Sequence, residues 1–315
     1  MENLQHMANG VPIINRRYRK RRIRKGLVLL TFILPGLIYY IVFHYAPMYG
    51  LIIAFKDYNP FVGFLQSPWV GMKHFRTFFE SLYFSRLLKN TFLLSFTSLV
   101  FSFPMPILFA LLLYEVKAGK LRSAMQSISY FPHFISTVVV CGLIRQFTSD
   151  SGIINAIIEL MGGSSIRFLN EPGWFRPVYI ISGIWQGMGW GSIIYYATLT
   201  SIDVSLFESA EIDGATRLQK IYYISIPSLI PTIVTLLLMN LGNLMNVGYE
   251  KVLLLYNSSI YKTADIISTY VYRQGIINLQ YSFAAAVGLF NSVIGICLIV
   301  FFNWLARRVA HTSLW

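Results

Sequence analysis

Apolar residues gather into six long runs, at residues 27–55, 91–114, 125–144, 177–200, 224–247 and 282–305, with charge held to their ends. Crossing the hydrocarbon core of a bilayer takes roughly 20 mostly apolar residues. The pattern therefore predicts an all-α membrane protein with six transmembrane helices. The first run exceeds that length, so it tilts or continues outside the bilayer, and Ala46-Pro47 leaves its exit open.

The segments 56–90, 145–176 and 248–281 exceed the roughly 15 residues of an ordinary loop and are expected to hold short helices or turns. In the first, Asp57-Tyr58-Asn59-Pro60-Phe61 and Ser67-Pro68-Trp69-Val70-Gly71 carry turn chemistry. Phe75, Phe78, Phe79 and Tyr83 follow at helical spacing. That spacing fits an amphipathic helix on the outer interface or, equally, a face packed against the spans.

Composition agrees with a chain that belongs in lipid. Of 315 residues, 55% are hydrophobic and 12% charged, against about 25% charged in soluble domains. Basic residues near span ends tend to stay cytoplasmic. Arg16, Arg17, Arg19, Lys20, Arg21, Arg22, Arg24 and Lys25 directly precede the first span, so residues 1–26 are expected to form a basic cytoplasmic tail and 27–315 the transmembrane domain. With six spans, Arg307-Arg308 and the loops holding Lys117, Lys120, Arg122, Arg217 and Lys220 share that side, putting both termini in the cytoplasm. The loops on that side carry the larger share of the net charge of +13.

Basic runs also neutralise phosphates, but one abutting a hydrophobic span already has a topological explanation, and no nucleic-acid partner is expected. The first apolar run is also far longer than a signal-peptide core. Cys141 and Cys297 fall inside predicted spans, which argues against a secreted disulfide framework. The five histidines, His6, His44, His74, His133 and His311, show no metal-ligand spacing, so no metal site is expected.

The loop between the fourth and fifth spans, about 203–223, stands apart. Ser205 followed by Glu208 reads as a capping box opening a short helix. Gly214 is placed to end it in a left-handed conformation, and residues 215–223 then read as a second short helix before Pro227. The result is a helical knob, small at Ala210 and Ala215 and charged at Glu208 and Asp213. It reads equally as an ordinary capped loop.

The string Glu208-Ser209-Ala210-x-x-Asp213-Gly214-Ala215, followed by Ile224-x-Ile226-Pro227, resembles the EAA loop of binding-protein-dependent ABC importer permeases. It departs from the family at Ser209, usually Ala, and at Ile226, usually Leu. The resemblance implies a type I ABC importer permease fold with a cytoplasmic coupling helix seated in an ATPase subunit. Coupling roles then fall to Glu208, Ser209, Ala210, Asp213, Gly214 and Ala215.

Further strings resemble the polysaccharide-type branch of the sugar permeases: Tyr49-Gly50-Leu51-Ile52-Ile53-Ala54-Phe55-Lys56-Asp57-Tyr58, Ser67-Pro68-Trp69-Val70-Gly71, Asn246-Val247-Gly248-Tyr249-Glu250, residues 263–273 and Ser313-Leu314-Trp315. That branch implies a heterodimer with a second homologous permease subunit, two ATPase subunits, an extracytoplasmic sugar-binding protein and an oligosaccharide substrate. It implies no cofactor in this chain, ATP and Mg being held by the partner ATPase.

The residues themselves agree that the chain is not an enzyme. The phosphate-cradling pattern G-x-x-x-x-G-K-[ST] is absent, since Gly119-Lys120 is followed by Leu121 and preceded at the first position by Tyr114. No nucleophile, base and oxyanion set stands out.

Polar residues inside spans usually face a bundle interior or a wet cavity. Asn240, Asn243, Asn246 and Glu250 follow at spacings of three, three and four, which predicts one helical stripe. Amides both donate and accept, as hydroxyl-rich ligands require, so the stripe is the expected substrate path. Tyr249 lies beside it and Asn291 faces it from the sixth span. Interhelical hydrogen bonding is the other reading of these amides. Gly183, Gly187 and Gly191 read as a close-packing face. Gln186 and Trp190, off that face, either pack or contribute to a sugar site, and Trp174 and Trp304 read as interface anchors.

A permease for another solute, a self-contained channel or secondary transporter, and a membrane scaffold that only recruits partners are the competing functions. No charge sits mid-span as a coupling-ion site, which weighs against a secondary transporter.

Overall fold

A computed structural model describes residues 30–245 and 248–310. The basic tail, Asn246, Val247 and Ser313-Leu314-Trp315 lie outside the described residues. Among those described, every regular element is helical, with one isolated antiparallel bridge between Lys56 and Trp69.

The chain divides into two units, residues 1–53 and 54–315. Helix α1 (Leu30–Phe55) supplies the described part of the first. Proline lacks an N–H and clashes with the carbonyl four residues back. A π turn at Ile41–Tyr45 directly precedes Pro47, loosening the ladder there. The helix therefore runs through Ala46-Pro47 rather than ending at it.

In the second unit follow α2 (Lys73–Phe79), α3 (Phe84–Glu115), α4 (Lys120–Phe134), α5 (Thr137–Phe147), α6 (Ile153–Leu160) and α7 (Phe175–Thr200). Then come α8 (Val204–Ile212), α9 (Arg217–Gly242), α10 (Tyr249–Leu255), α11 (Ile267–Tyr272) and α12 (Tyr281–Ala310). Among the described residues four helices, α1, α3, α9 and α12, are long and apolar enough to cross a bilayer, and α4 with α5 makes a fifth span if the bent pair counts as one. Helix α7 has 26 residues but is not among them, because Gln186 and four glycines dilute its hydrophobicity.

The run at 125–144 is not one straight span. It holds two helices meeting at 101°. Phe131-Pro132-His133-Phe134 tightens into a 3-10 turn, Ile135 and Ser136 go extended, and the Ser136 hydroxyl accepts from the Val139 N–H at 3.4 Å to start α5. Two further expectations change at α9. The separate short helix over 215–223 is the first part of α9, which passes through a π turn at Ile221–Ser225, and the helix ends at Gly242 rather than at 247.

Helices α3 and α7 form the centre, with α9 against α7 and α12, and with α2 and α11 against α12. Phe78 is buried among the rings of Phe84, Tyr270, Phe283 and Phe290, at 5.2 to 6.3 Å between centroids. Phe75 is buried too, so the aromatic spacing of the first long loop marks a packing face and not a free interfacial helix. Helix α2 stops at Phe79 and leaves Tyr83 beyond it.

The 248–281 segment is stitched down by polar contacts. Asn257 Nδ2 donates to the Leu169 carbonyl at 2.8 Å, Thr263 Oγ1 to that of Pro172 at 2.7 Å, and Asn90 Nδ2 to those of Lys262 and Asp265 at 3.1 Å. Asn90 is buried and Asn257 and Thr263 half-buried, so these bonds satisfy polar groups that water reaches poorly and tie the segment to its neighbours.

Candidate functional site

Helices α3, α7 and α9 line an open cavity of 510 Å³. Its wall takes Ser95, Ser98 and Ser102 from α3, Tyr179, Gly183 and Gly187 from α7, and Asn240 and Asn243 from α9, with Gly248 beyond the end of α9. Among the described residues no Asp, Glu, Lys or Arg lines it.

Asn240 and Asn243 are thus brought together at one cavity, but the stripe they were expected to start does not continue. Gly242 is the last residue of α9 and Asn243 its cap, in a turn conformation. Tyr249 and Glu250 sit in the first turn of the separate helix α10 and do not line the cavity. Asn246 lies outside the described residues. Each remaining amide nitrogen donates one turn back, Asn240 to the Leu236 carbonyl at 2.8 Å and Asn243 to that of Met239 at 3.1 Å. Each Oδ1 is left able to accept from a ligand hydroxyl. Ser98 Oγ, buried in the same wall, has no protein partner. Asn291 on α12 donates to the Met245 carbonyl at 3.5 Å, bridging to the chain just past α9, and is not in the wall.

The glycine face is open where close packing was expected. A Cβ at Gly187 would meet nothing within 4 Å, and one at Gly183 would meet only the Lys251 ammonium, at 3.5 Å; Gly191 alone approaches a neighbour, Pro106, at 3.0 Å. The tightest contact falls on the opposite face, where a Cβ at Gly189 would stand 2.1 Å from the Ser129 carbonyl oxygen. Spacing reveals that side chains are missing, not whether a helix or empty space fills the gap. Gln186 and Trp190 are drawn to the break between α4 and α5. Gln186 Nε2 donates to the Ile135 carbonyl at 3.3 Å, and Trp190 stacks on His133 with centroids 4.6 Å apart. They brace the bend and leave the cavity wall to others.

Sequence reasoning missed Lys251 on α10, whose side chain is buried behind Gly183 and Tyr179. Its ammonium donates to the Tyr179 carbonyl at 3.1 Å and lies 4.8 Å from the centre of the Tyr179 ring. Burial pushes its pKa down to about 8. The available signal was a lone lysine opening the apolar run Val252-Leu253-Leu254-Leu255.

The loop between α7 and α9 is built from two caps. The cap read at Ser205 falls earlier, at Asp203, whose extended backbone lets its carboxylate accept from the Ser205 N–H at 2.9 Å; carboxylates are strong caps. This bond holds the Asp203 pKa below its ordinary value. The reciprocal capping box forms instead between Thr216 and Gln219, opening α9. Gly214 has φ of +76°, where its lack of Cβ removes the steric cost. The Ala215 N–H then reaches back to the Ala210 carbonyl at 2.8 Å and the Gly214 N–H to that of Glu211 at 3.0 Å, a Schellman closure of α8. Lys220 pairs with Glu211 and fixes α8 against α9, holding the Glu211 pKa down. Glu208, Ser209, Asp213 and Gly214 are exposed, Ala210 and Ala215 half-buried. Leu206, Ile212 and Leu218 are exposed beside them.

A largely apolar cavity among apolar helices that carries a few serine hydroxyls and two asparagine amides, with a capped helical knob at the other end of α9, defines a membrane protein of the solute-translocating class. The chain belongs to the family of the binding-protein-dependent transport system inner membrane component, which matches residues 77–311. It is similar to Protein LplB of Bacillus subtilis, 43% identical over 92% of this chain and 91% of that one. It is also similar to the polygalacturonan/rhamnogalacturonan transport system permease protein YteP of the same organism, 41% identical over 99% and 98%. Among solved structures it matches a chain of the bacterial alginate ABC transporter in complex with an alginate pentasaccharide-bound periplasmic protein. That match has a TM-score of 0.86 and 44% identity, over 93% of this chain and 99% of that one.

Proposed function

We propose that this chain is the permease subunit of an ABC importer that carries oligosaccharides across the cytoplasmic membrane by ATP-driven alternating access. The observation that carries the reading is the uncharged cavity, whose serine hydroxyls and asparagine carbonyls offer hydrogen bonds suited to a sugar without a fixed charge in the wall. The similar proteins support the substrate class, since one is named for polygalacturonan and rhamnogalacturonan transport and another comes from an alginate importer.

In this reading α7 and the bent pair α4–α5 join the four straight helices as spans, making six, and both termini are cytoplasmic, with residues 1–26 as the basic tail and 27–315 as the transmembrane domain. The knob around Glu208, Ser209, Ala210, Asp213, Gly214 and Ala215 docks in an ATPase subunit, its exposed Leu206, Ile212 and Leu218 supplying apolar contact. The partners are a second homologous permease, two ATPase subunits holding ATP and Mg, and an extracytoplasmic sugar-binding protein. The chain itself catalyses no reaction. With this orientation, the polar cleft of 330 Å³ lined by Arg145, Asp150, Arg167, Asn170 and Asn257 would face the binding protein.

The test is oligosaccharide uptake by proteoliposomes holding the full complex, with ATP or with a non-hydrolysable analogue. Uptake only with ATP and binding protein supports the reading; uptake without either identifies a channel or secondary transporter.

A further inference from the structure

Resting on the transport reading above, we infer that Phe207 and Arg122 are positioning residues that carry motion of the knob into α3, so that the serine side of the cavity moves with the knob as well as the amide side on α9. Phe207 is half-buried, between the exposed Leu206 and Glu208. Its ring lies 5.8 Å from that of Tyr114, inclined at 44°, and Tyr114 stands in the last turn of α3. The end of α3 that meets the knob is held in place. A helix leaves its last four carbonyls without partners of its own. Arg122, in the first turn of α4, supplies them: Nε donates to the Val116 carbonyl at 2.8 Å, and one terminal nitrogen reaches the carbonyls of Val116 and Tyr114. The other donates to the Tyr196 hydroxyl of α7 at 2.9 Å. A cation at this end also complements the helix dipole. One guanidinium thereby ties the end of α3 to both α4 and α7, using the planar fork that sets arginine apart from lysine.

From this clamp, packing is continuous to the cavity. Ala110, Leu111, Tyr195, Leu199 and Leu229 form one buried cluster with Tyr114 and Leu236 packed against it, and Tyr195 and Leu236 also stand in the cavity wall. Close-packed interiors transmit strain. Between Tyr114 and the serines, α3 is interrupted, its two lengths being Phe84–Ser102 and Pro104–Glu115. Pro104 and Pro106 lack the N–H groups that the Val100 and Ser102 carbonyls would accept in an unbroken ladder. Ser102, Phe103 and Pro106 all line the cavity. A push at Tyr114 therefore bends α3 where its ladder is weakest, which is at the wall itself.

The test reads ATP hydrolysis and sugar uptake together, in proteoliposomes holding the complete transporter with its binding protein. Galacturonate and mannuronate trisaccharides are the probes, and the chains are the natural one, Phe207→Ala, Phe207→Tyr and Arg122→Gln. Phe207→Ala and Arg122→Gln are expected to keep the ATPase subunits and to hydrolyse ATP near the natural rate. Sugar imported per ATP should fall roughly threefold or more, the scale on which changes within a coupling network act. Phe207→Tyr, which keeps the ring, is expected to match the natural chain; a ratio as low as that of Phe207→Ala counts against the ring contact. Should Arg122→Gln fail to fold, the two Phe207 variants decide. An unchanged ratio, whether both rates fall together or neither does, removes that residue from the link. Loss of the ATPase from Phe207→Ala overturns the inference as well, and makes Phe207 part of the docking surface. Absence of ATP-dependent uptake by the natural chain overturns the transport reading itself, apart from any variant.

Discussion

Asp265 receives both terminal nitrogens of the Arg273 guanidinium, at 3.2 and 2.7 Å, with its carboxylate wholly shielded from solvent. Thr269 Oγ1 donates to the same carboxylate at 3.0 Å and Arg86 stands 3.8 Å away. Removing one member of such a buried set leaves the others charged and unpaired, at a cost of about 3 to 5 kcal/mol. Asp265→Ala is therefore expected to lower the melting temperature of the purified complex and open the 248–281 segment to protease. A melting point and cleavage pattern like those of the natural protein would show that the pair is dispensable.

Gly189 and Gly187 make a contrasting pair. Leucine at 189 must displace backbone, because even its Cβ would fall 2.1 Å from the Ser129 carbonyl oxygen; overpacking of this kind typically costs about 1 to 3 kcal/mol or more. Gly187→Leu fills empty cavity instead. The expected outcome is poor yield of folded Gly189→Leu, against normal yield and impaired uptake for Gly187→Leu, read by size-exclusion chromatography and transport.

At the knob, Gly214→Asp forces a side chain into left-handed backbone at a cost of roughly 1 to 2 kcal/mol, too local to unfold the spans. Glu208→Ala removes an exposed charge with no fold role in the structure. Both are expected to leave the chain in the membrane and to weaken ATPase association or uptake. Co-purification of the ATPase at natural levels by both variants, with normal uptake, would remove the knob from coupling.

Asn240→Leu and Asn243→Leu each delete a cavity acceptor at similar bulk. A neutral hydrogen bond contributes roughly 0.5 to 1.5 kcal/mol, so single variants are expected to lose uptake by several-fold and the double variant most of it, with complex assembly intact. A double variant that no longer assembles would instead assign these amides to helix packing.

The helices, the knob and two of the cavity amides were legible because apolar length, Gly214 and the asparagine spacing are local signals. What was not legible depends on chain reversals in three dimensions. The run at 125–144 is apolar throughout and hides a 101° bend, visible in sequence only as Pro132 and a capping Ser136. The asparagine stripe was extrapolated past Gly242, where the helix ends. Gln186 and Trp190 read as packing or sugar-site residues and pack at the bend, and little in the sequence beyond the apolar run after it marks Lys251 as buried, because its burial comes from α5 and α7, far away in sequence.

Thr216 and Asn240 sit at opposite ends of α9, the one in the knob and the other in the cavity wall. From Arg217 to Asn240 a helix rises about 35 Å at 1.5 Å per residue. The described chain makes no turn between them; a π turn at Ile221–Ser225 and the prolines Pro227 and Pro231 interrupt its ladder on the way. Such a rod converts angle into distance: tipping the knob end by about 5° shifts Asn240 by about 3 Å, roughly the length of one hydrogen bond. A sugar held there would be gripped or let go by a rotation too small to disturb any of the caps that define the rod's lower end.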